Sequence, residues 1–164
     1  MAYIIRDQQA GWQPIATIDT TKNHPLGTRV KALDPTYGEG EFIYLLGVAS
    51  TVAGSWVTYA PDNFATALIV PNAIGPVAVA VGANVASSYG WYQIYGKHPA
   101  AKAADVADNG KVFIDTAAGI CDDAAVLGDK VYNAVWASAD ETAGGTAEVE
   151  LFYPFVNDAS TFST

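Results

Sequence analysis

Short runs of apolar, aromatic and β-branched residues, each closed by glycine, proline or a polar turn, recur along this chain and set its predicted elements. The clearest is Tyr89-Gly90-Trp91-Tyr92-Gln93-Ile94-Tyr95-Gly96, in which glycines bracket a stretch rich in aromatic rings. Alternation puts Trp91, Gln93 and Tyr95 on one face and Tyr92 and Ile94 on the other. Large groups on both faces predict a central strand covered from each side, in a closed or two-layered sheet. Gly75-Pro76 opens a small-residue strand over 77–82 that fits beside it. Lys111 to Asp115 and Lys130 to Val135 supply further pairing partners.

The same grammar runs through the rest of the chain. Leu26 to Leu33 alternates and is closed by the turn Asp34-Pro35-Thr36-Tyr37-Gly38. Gly40 to Gly47 is the clearest strand of the first half. Thr51 to Ser55 makes a turn into Trp56 to Tyr59, and Ala67 to Val70 is stopped by Pro71, which has no amide to donate. Ala137 to Gly145 reads as an exposed polar loop. Thr146 to Tyr153 alternates acidic with apolar residues, the mark of a strand wet on one face. Glu41–Tyr59 and Lys111–Val135 echo one another as strand, small-residue loop, glycine turn and strand. Either one supersecondary unit is used twice, or the echo is only the common texture of all-β chains.

Helix is scarce. The best candidate, Pro99 to Ala107, is alanine-rich and opened by proline, but gives barely two turns. It reads equally as a strand of small residues packed close to its neighbours. Asp108-Asn109-Gly110 then makes a turn of the kind that joins strands. The expected fold is therefore all-β, a single-domain β-barrel or jelly-roll-like sandwich over residues 26–156. Residues 1–25 are either a lead-in strand or an arm that docks on a neighbouring subunit, and residues 157–164 form a polar C-terminal tail. Spaced apolar residues in polar surroundings make Trp12, Ile15, Ile18 and Phe162 the candidate partner contacts.

Composition narrows the function. The 164 residues suffice for one domain with a real core, 51% are hydrophobic and 15% charged. No apolar run approaches the roughly 20 residues of a membrane-spanning helix. Polar residues follow too early after Met1 for a secretory signal, so synthesis and use without export are expected. The formal charge is −9 and the eight basic residues are scattered singly, which argues against nucleic acid and anionic membranes as partners. A single cysteine, Cys121, forbids an internal disulfide, and with no basic neighbour in sequence it reads as a buried thiol.

No catalytic, cofactor-binding or metal-binding constellation is legible, and an enzyme is not expected. His24 and His98 sit beside prolines without a second ligand at zinc spacing. Asp122 and Asp123 are adjacent on a strand and face opposite ways. Glu39 and Glu41 are two apart and share a face, as any exposed pair would. Asp105, Asp108 and Asp115 do not match a calcium loop. Trp12, Trp56, Trp91 and Trp136 with nine tyrosines are the material of a sugar-binding platform, although Trp56 and Trp91 lie in apolar strands where burial is the ordinary explanation.

Three segments carry a resemblance: Leu33-Asp34-Pro35-Thr36-Tyr37-Gly38-Glu39-Gly40-Glu41-Phe42-Ile43-Tyr44, Gly90-Trp91-Tyr92-Gln93-Ile94-Tyr95-Gly96, and Leu127-Gly128-Asp129-Lys130-Val131-Tyr132. With them the chain resembles the small head-decoration, or capsid cement, proteins of tailed bacteriophages, over roughly residues 26 to 135. The motifs are structural and bring no active-site residues. The resemblance implies an all-β body, made in the host cytoplasm, that binds the outer surface of the phage head. It would stabilise the shell by bridging adjacent major capsid protein subunits. Self-association is implied with it, a homotrimer by family habit or else a homodimer. The other roles that the sequence leaves open are a tail or spike component of the virion and a carbohydrate-binding β-sandwich module.

Overall fold

Burial alternates along Arg29–Asp34 and is continuous over residues 40–45, and the strands join into one sheet that turns back on itself. A computed structural model describes residues 13–158 and the backbone of residues 4–5. Eleven strands fall among these residues: β1 (Ile4–Ile5), β2 (Arg29–Asp34), β3 (Gly38–Leu46), β4 (Trp56–Tyr59), β5 (Thr66–Leu68), β6 (Ile74–Ala80), β7 (Tyr89–Val106), β8 (Lys111–Ile114), β9 (Cys121–Asp122), β10 (Lys130–Trp136) and β11 (Asp140–Asn157). They follow the order β1-β2-β3-β7-β9-β8-β10-β11-β6-β4-β5, and β7 pairs additionally with β11 and β6. The extra β7–β11 ladder closes β7, β9, β8, β10 and β11 into a ring. Among the pairings between these strands only the single contact Ala103↔Cys121, between β7 and β9, is parallel. The architecture is the all-β, barrel-like single domain that the strand pattern predicts.

Three apolar clusters fill it. The largest lies within the ring and collects Trp56, Val79, Ala101, Ala103, Val112, Ile114, Val131, Trp136, Val149 and Leu151, all buried. The other two lie on opposite faces of β3 and the first half of β7. Phe42, Tyr44 and Trp91 pack on one face; Ile43, Leu45, Tyr92 and Ile94 pack on the other. Both faces of that strand pair are thus covered, as their aromatic content demands.

Pro99–Ala107 contains no helix. β7 runs on through Val106, with Ala101 and Ala103 wholly buried and Lys102, Ala104 and Asp105 turned outward. Two indoles explain why strand wins over the helix preference of alanine. Trp56 and Trp136 meet edge to face at 5.8 Å inside the ring. Their Nε1 groups donate to the carbonyls of Lys102 (3.0 Å) and Asp122 (3.1 Å). Small side chains facing them leave the space that both rings need, so tertiary packing overrides local propensity.

Ala137–Gly145 is likewise not all loop. β11 begins at Asp140 and pairs with β7 from Asp140↔Val106 onward, through several register shifts. Glycines and threonine hid this strand, because its stability comes from the ladder and not from its own composition. The echo between Glu41–Tyr59 and Lys111–Val135 does not reflect a repeated unit. β8 pairs with β10, whereas β3 pairs with β2 and β7 and β4 with β5 and β6.

Residues 13–25 fold onto this chain's own sheet. Ile15 is 3% exposed and joins Val30, Ala32, Phe42, Tyr44, Val81 and Trp91. Asp19 exchanges two backbone hydrogen bonds with Tyr89, each 2.8 Å. Its carboxylate accepts from the Tyr44 hydroxyl (2.5 Å) and from the Gln13 amide. His24 packs edge-on against Tyr44 and tilts over Trp91. Replacing Ile15 with alanine should therefore lower the unfolding free energy by about 2–5 kcal/mol in urea titrations. A change below about 0.5 kcal/mol would show that this segment is not part of the core.

Candidate functional site

The richest gathering of polar and aromatic groups lies where β2, β3, β7 and β11 meet. β2 and β3 pair with Lys31↔Glu41 and Leu33↔Glu39 in register. Val30, Ala32, Gly40 and Phe42 turn to the core, which sends Arg29, Lys31, Glu39 and Glu41 to the opposite face. Across β3, Glu41 sits beside Tyr95, and Tyr95 in turn pairs with Phe152 of β11. A cleft of about 270 Å³ results, lined by Lys31, Glu39, Gly40, Glu41, Tyr95 and Tyr153.

Its side chains are held in place. Glu41, itself buried, accepts a hydrogen bond from the Tyr153 hydroxyl at 2.8 Å and lies 3.5 Å from the Arg29 guanidinium. That bond to Glu41 is the main reason the Tyr153 hydroxyl titrates above its ordinary value. The Tyr95 and Tyr153 rings stand 5.2 Å apart with a tilt of 32°, and Phe152 meets Tyr95 edge-on at 6.2 Å. Beneath them the buried Gln93 amide donates to the carbonyls of Tyr95 (3.1 Å) and Lys97 (3.2 Å). Gly96 has φ +88°, and a Cβ there would lie 2.1 Å from the Glu39 carbonyl oxygen, so β7 passes this close to β3 only with glycine.

A second surface is apolar. Phe113, Ala125, Val126, Leu127, Gly128, Lys130 and Tyr132 line a groove of about 330 Å³. Leu127 is 75% exposed and Val126 about half exposed. Phe155 of β11 stacks on Tyr132 at 5.1 Å, and the Lys130 ammonium lies over the same ring.

Of the four sequence-derived partner contacts, two fall among the described residues. Ile15 is inside the core and leaves almost no surface for a partner. Ile18 is half-buried, its Cδ1 lying against Gly82 and Gly90. Trp12 and Phe162 fall outside the described residues. Trp56, Trp91 and Trp136 are all fully buried, so a platform built on these three tryptophans is overturned. The exposed rings are instead tyrosines and phenylalanines. The pair Glu39 and Glu41 was the one available signal for the cleft. Tyr95 and Tyr153 gave none, because only the fold brings them there.

Elsewhere the ionisable groups serve the fold. Among the described residues no cluster of three His, Cys, Asp or Glu side chains is placed to hold a metal ion. Cys121 is fully buried, and burial followed by the nearby Asp122 and Asp115 pushes its thiol well up. Asp122 and Asp123 diverge: Asp123 accepts from the Ala107 amide at 2.9 Å, while Asp122 faces Asp115. Burial, then the Asp115 charge, raises Asp122 to about 6. His98 is fully buried and its imidazole is pushed down to about 3 by desolvation. Its Nδ1 accepts from the Ala100 amide at 3.2 Å, and Nε2 faces the Ala80 carbonyl short of normal hydrogen-bond geometry.

The fold and these surfaces define a single-domain, barrel-like all-β protein with two surface sites, one aromatic and polar, the other apolar. Comparison with protein-family models, curated proteins and solved structures finds no match to this chain.

Two pH effects of opposite sign follow. The unfolded His98 takes up a proton near its ordinary value of 6.5, but the folded one does so only near 3. Stability from His98 is therefore complete above 6.5 and drains as pH falls toward 3, by an amount on the order of a few kcal/mol. His98→Gln should be less sensitive than the parent to acidification between about pH 7 and pH 4; an identical slope would refute this. Asp122 behaves in reverse, since its folded pKa lies above the ordinary 3.8 and stability is lost as pH rises through about 6. Asp122→Asn should accordingly raise the melting temperature at neutral pH and leave it nearly unchanged in strong acid.

Proposed function

We propose that this protein is a capsid cement protein of tailed bacteriophages, bound to the outer surface of the head. It acts by adhesion, bridging adjacent major capsid protein subunits as a small homo-oligomer, a trimer by preference. Two things support this reading: the resemblance over residues 26 to 135, and a rigid β body that presents large apolar side chains to solvent.

The single observation that carries it is the groove under Leu127. An apolar side chain three-quarters exposed, next to a half-exposed valine and a stacked Tyr132–Phe155 pair, costs solvation that a monomer gains nothing from. Burying Leu127 and Val126 against a subunit surface removes that cost. A site repeated around an oligomer multiplies the gain, because each added contact is made at high effective concentration. Contacts that exist only in the assembled shell stabilise that state by mass action, which is what an expanded head under internal pressure requires.

Adding the purified protein to expanded shells that lack it should give saturable binding and a higher temperature of shell disruption. Leu127→Asp should weaken that binding by at least about tenfold, roughly 1.4 kcal/mol, with little change in the protein's own melting temperature. Absence of binding in every maturation state would exclude the cement role.

A further inference from the structure

We propose that the cleft between Tyr95, Tyr153 and the Lys31–Glu39–Glu41 face binds a neutral saccharide, one pyranose unit at its centre. This goes beyond the cement reading and rests on different residues.

The first argument is that the rings are exposed although their backbone is constrained. Tyr95 is 39% and Tyr153 47% exposed. Tyr153 also has φ +56°, a conformation that bulky residues rarely adopt. The surroundings over-determine it: its hydroxyl is fixed on the buried Glu41, and Glu41 in turn faces Arg29. Beside it, Gln93 and Gly96 fix the irregular part of β7 that carries Tyr95. Strain kept at a preorganised surface aromatic is the arrangement of a ligand clamp.

The second argument is chemical complementarity. One wall is the contacting pair of rings, Tyr95 and Tyr153, 5.2 Å apart and tilted by 32°, and the rim carries the Glu39 carboxylate and the Lys31 ammonium. A pyranose offers an apolar C–H face to a ring and a belt of hydroxyls that both donate and accept. Glu39 accepts from such hydroxyls and Lys31 donates to them. Anionic ligands suit the cleft poorly, since two carboxylates face it and the nearby Arg29 already engages Glu41. Purely apolar ligands would strand those charges away from water. The volume of about 270 Å³ matches a single small ring. Phe152, edge-on beside Tyr95, extends the apolar surface for a second unit. With contact this limited, the affinity for one unit is on the order of 1 mM.

The test is titration of the full-length protein with cellotriose, maltotriose, a galactose oligomer and chitotriose. Binding is followed by amide chemical shifts and by calorimetry. At least one should shift the amides of Glu39, Tyr95 and Tyr153 saturably. Tyr95→Ala should weaken that binding by about tenfold or more, and the exposed-residue variants Glu39→Gln and Lys31→Ala should weaken it while remaining folded by circular dichroism. Leu127→Asp should bind the sugar as the parent does, which separates this site from the shell-binding groove. No saturable shift at the cleft with any of the four sugars, in folded protein, would overturn the inference. So would loss of shell binding in Lys31→Ala and Glu39→Gln without any sugar response, since the cleft would then be a protein contact.

Discussion

The antiparallel ladder between β7 and β11 is the constraint on which the rest of this structure depends. Each strand has 18 residues, and each is long enough to leave one neighbour and take up another along its length. β7 pairs with β3 and β6 near its start and with β11 through its middle and end. β11 is held by β10 on one side and meets β6 at its last residues. An open sheet with this strand order would expose the faces of Trp136, Val149 and Leu151. The ladder brings its two halves together, and those side chains become the inside of a ring.

The distribution of aromatic residues follows from that closure. The indoles of Trp56 and Trp136 fill the interior, where their N–H groups donate to the backbone carbonyls of Lys102 and Asp122. Phe42, Tyr44 and Tyr92 are buried with them, whereas Tyr95, Phe152, Tyr153 and Phe155 stand outside, on β7 and β11. The sequence Phe152-Tyr153-Pro154-Phe155 feeds both exposed surfaces: Tyr153 lines the polar cleft, Phe152 meets Tyr95 edge-on, and Phe155 stacks on Tyr132 of the apolar groove. The proposed shell contact and the proposed sugar site thus both draw on β11, the former together with the turn between β9 and β10 that carries Val126 and Leu127.

Local chemistry made much of the fold legible and little of the sites. The strands at Gly38–Leu46, Trp56–Tyr59, Ile74–Ala80 and Lys130–Trp136 are written in alternation and turn residues. Asp34 illustrates this, its carboxylate accepting from the amides of Thr36 and Tyr37 to make the turn that the sequence announces. The second half of β7 is not so written, because Ala101 and Ala103 owe their strand conformation to a ladder with β11 and to two distant indoles. Asp140–Gly145 hides its pairing for the same reason. Ile15 looked unattached because its neighbours, Val30 through Trp91, lie far along the chain. The cleft joins side chains from four strands, and only the Glu39–Glu41 spacing gave a local hint of it.

The position of the one cysteine has a practical consequence. Cys121 pairs in parallel with Ala103, where the ring is joined by a single residue pair. Its sulfur is sealed off and its proton tightly kept, so a thiol reagent acts only on molecules whose seam has parted. Labelling rate under native conditions then clocks how often the barrel gapes, and it does so at the weakest joint of the wall without altering any residue on the outer surface.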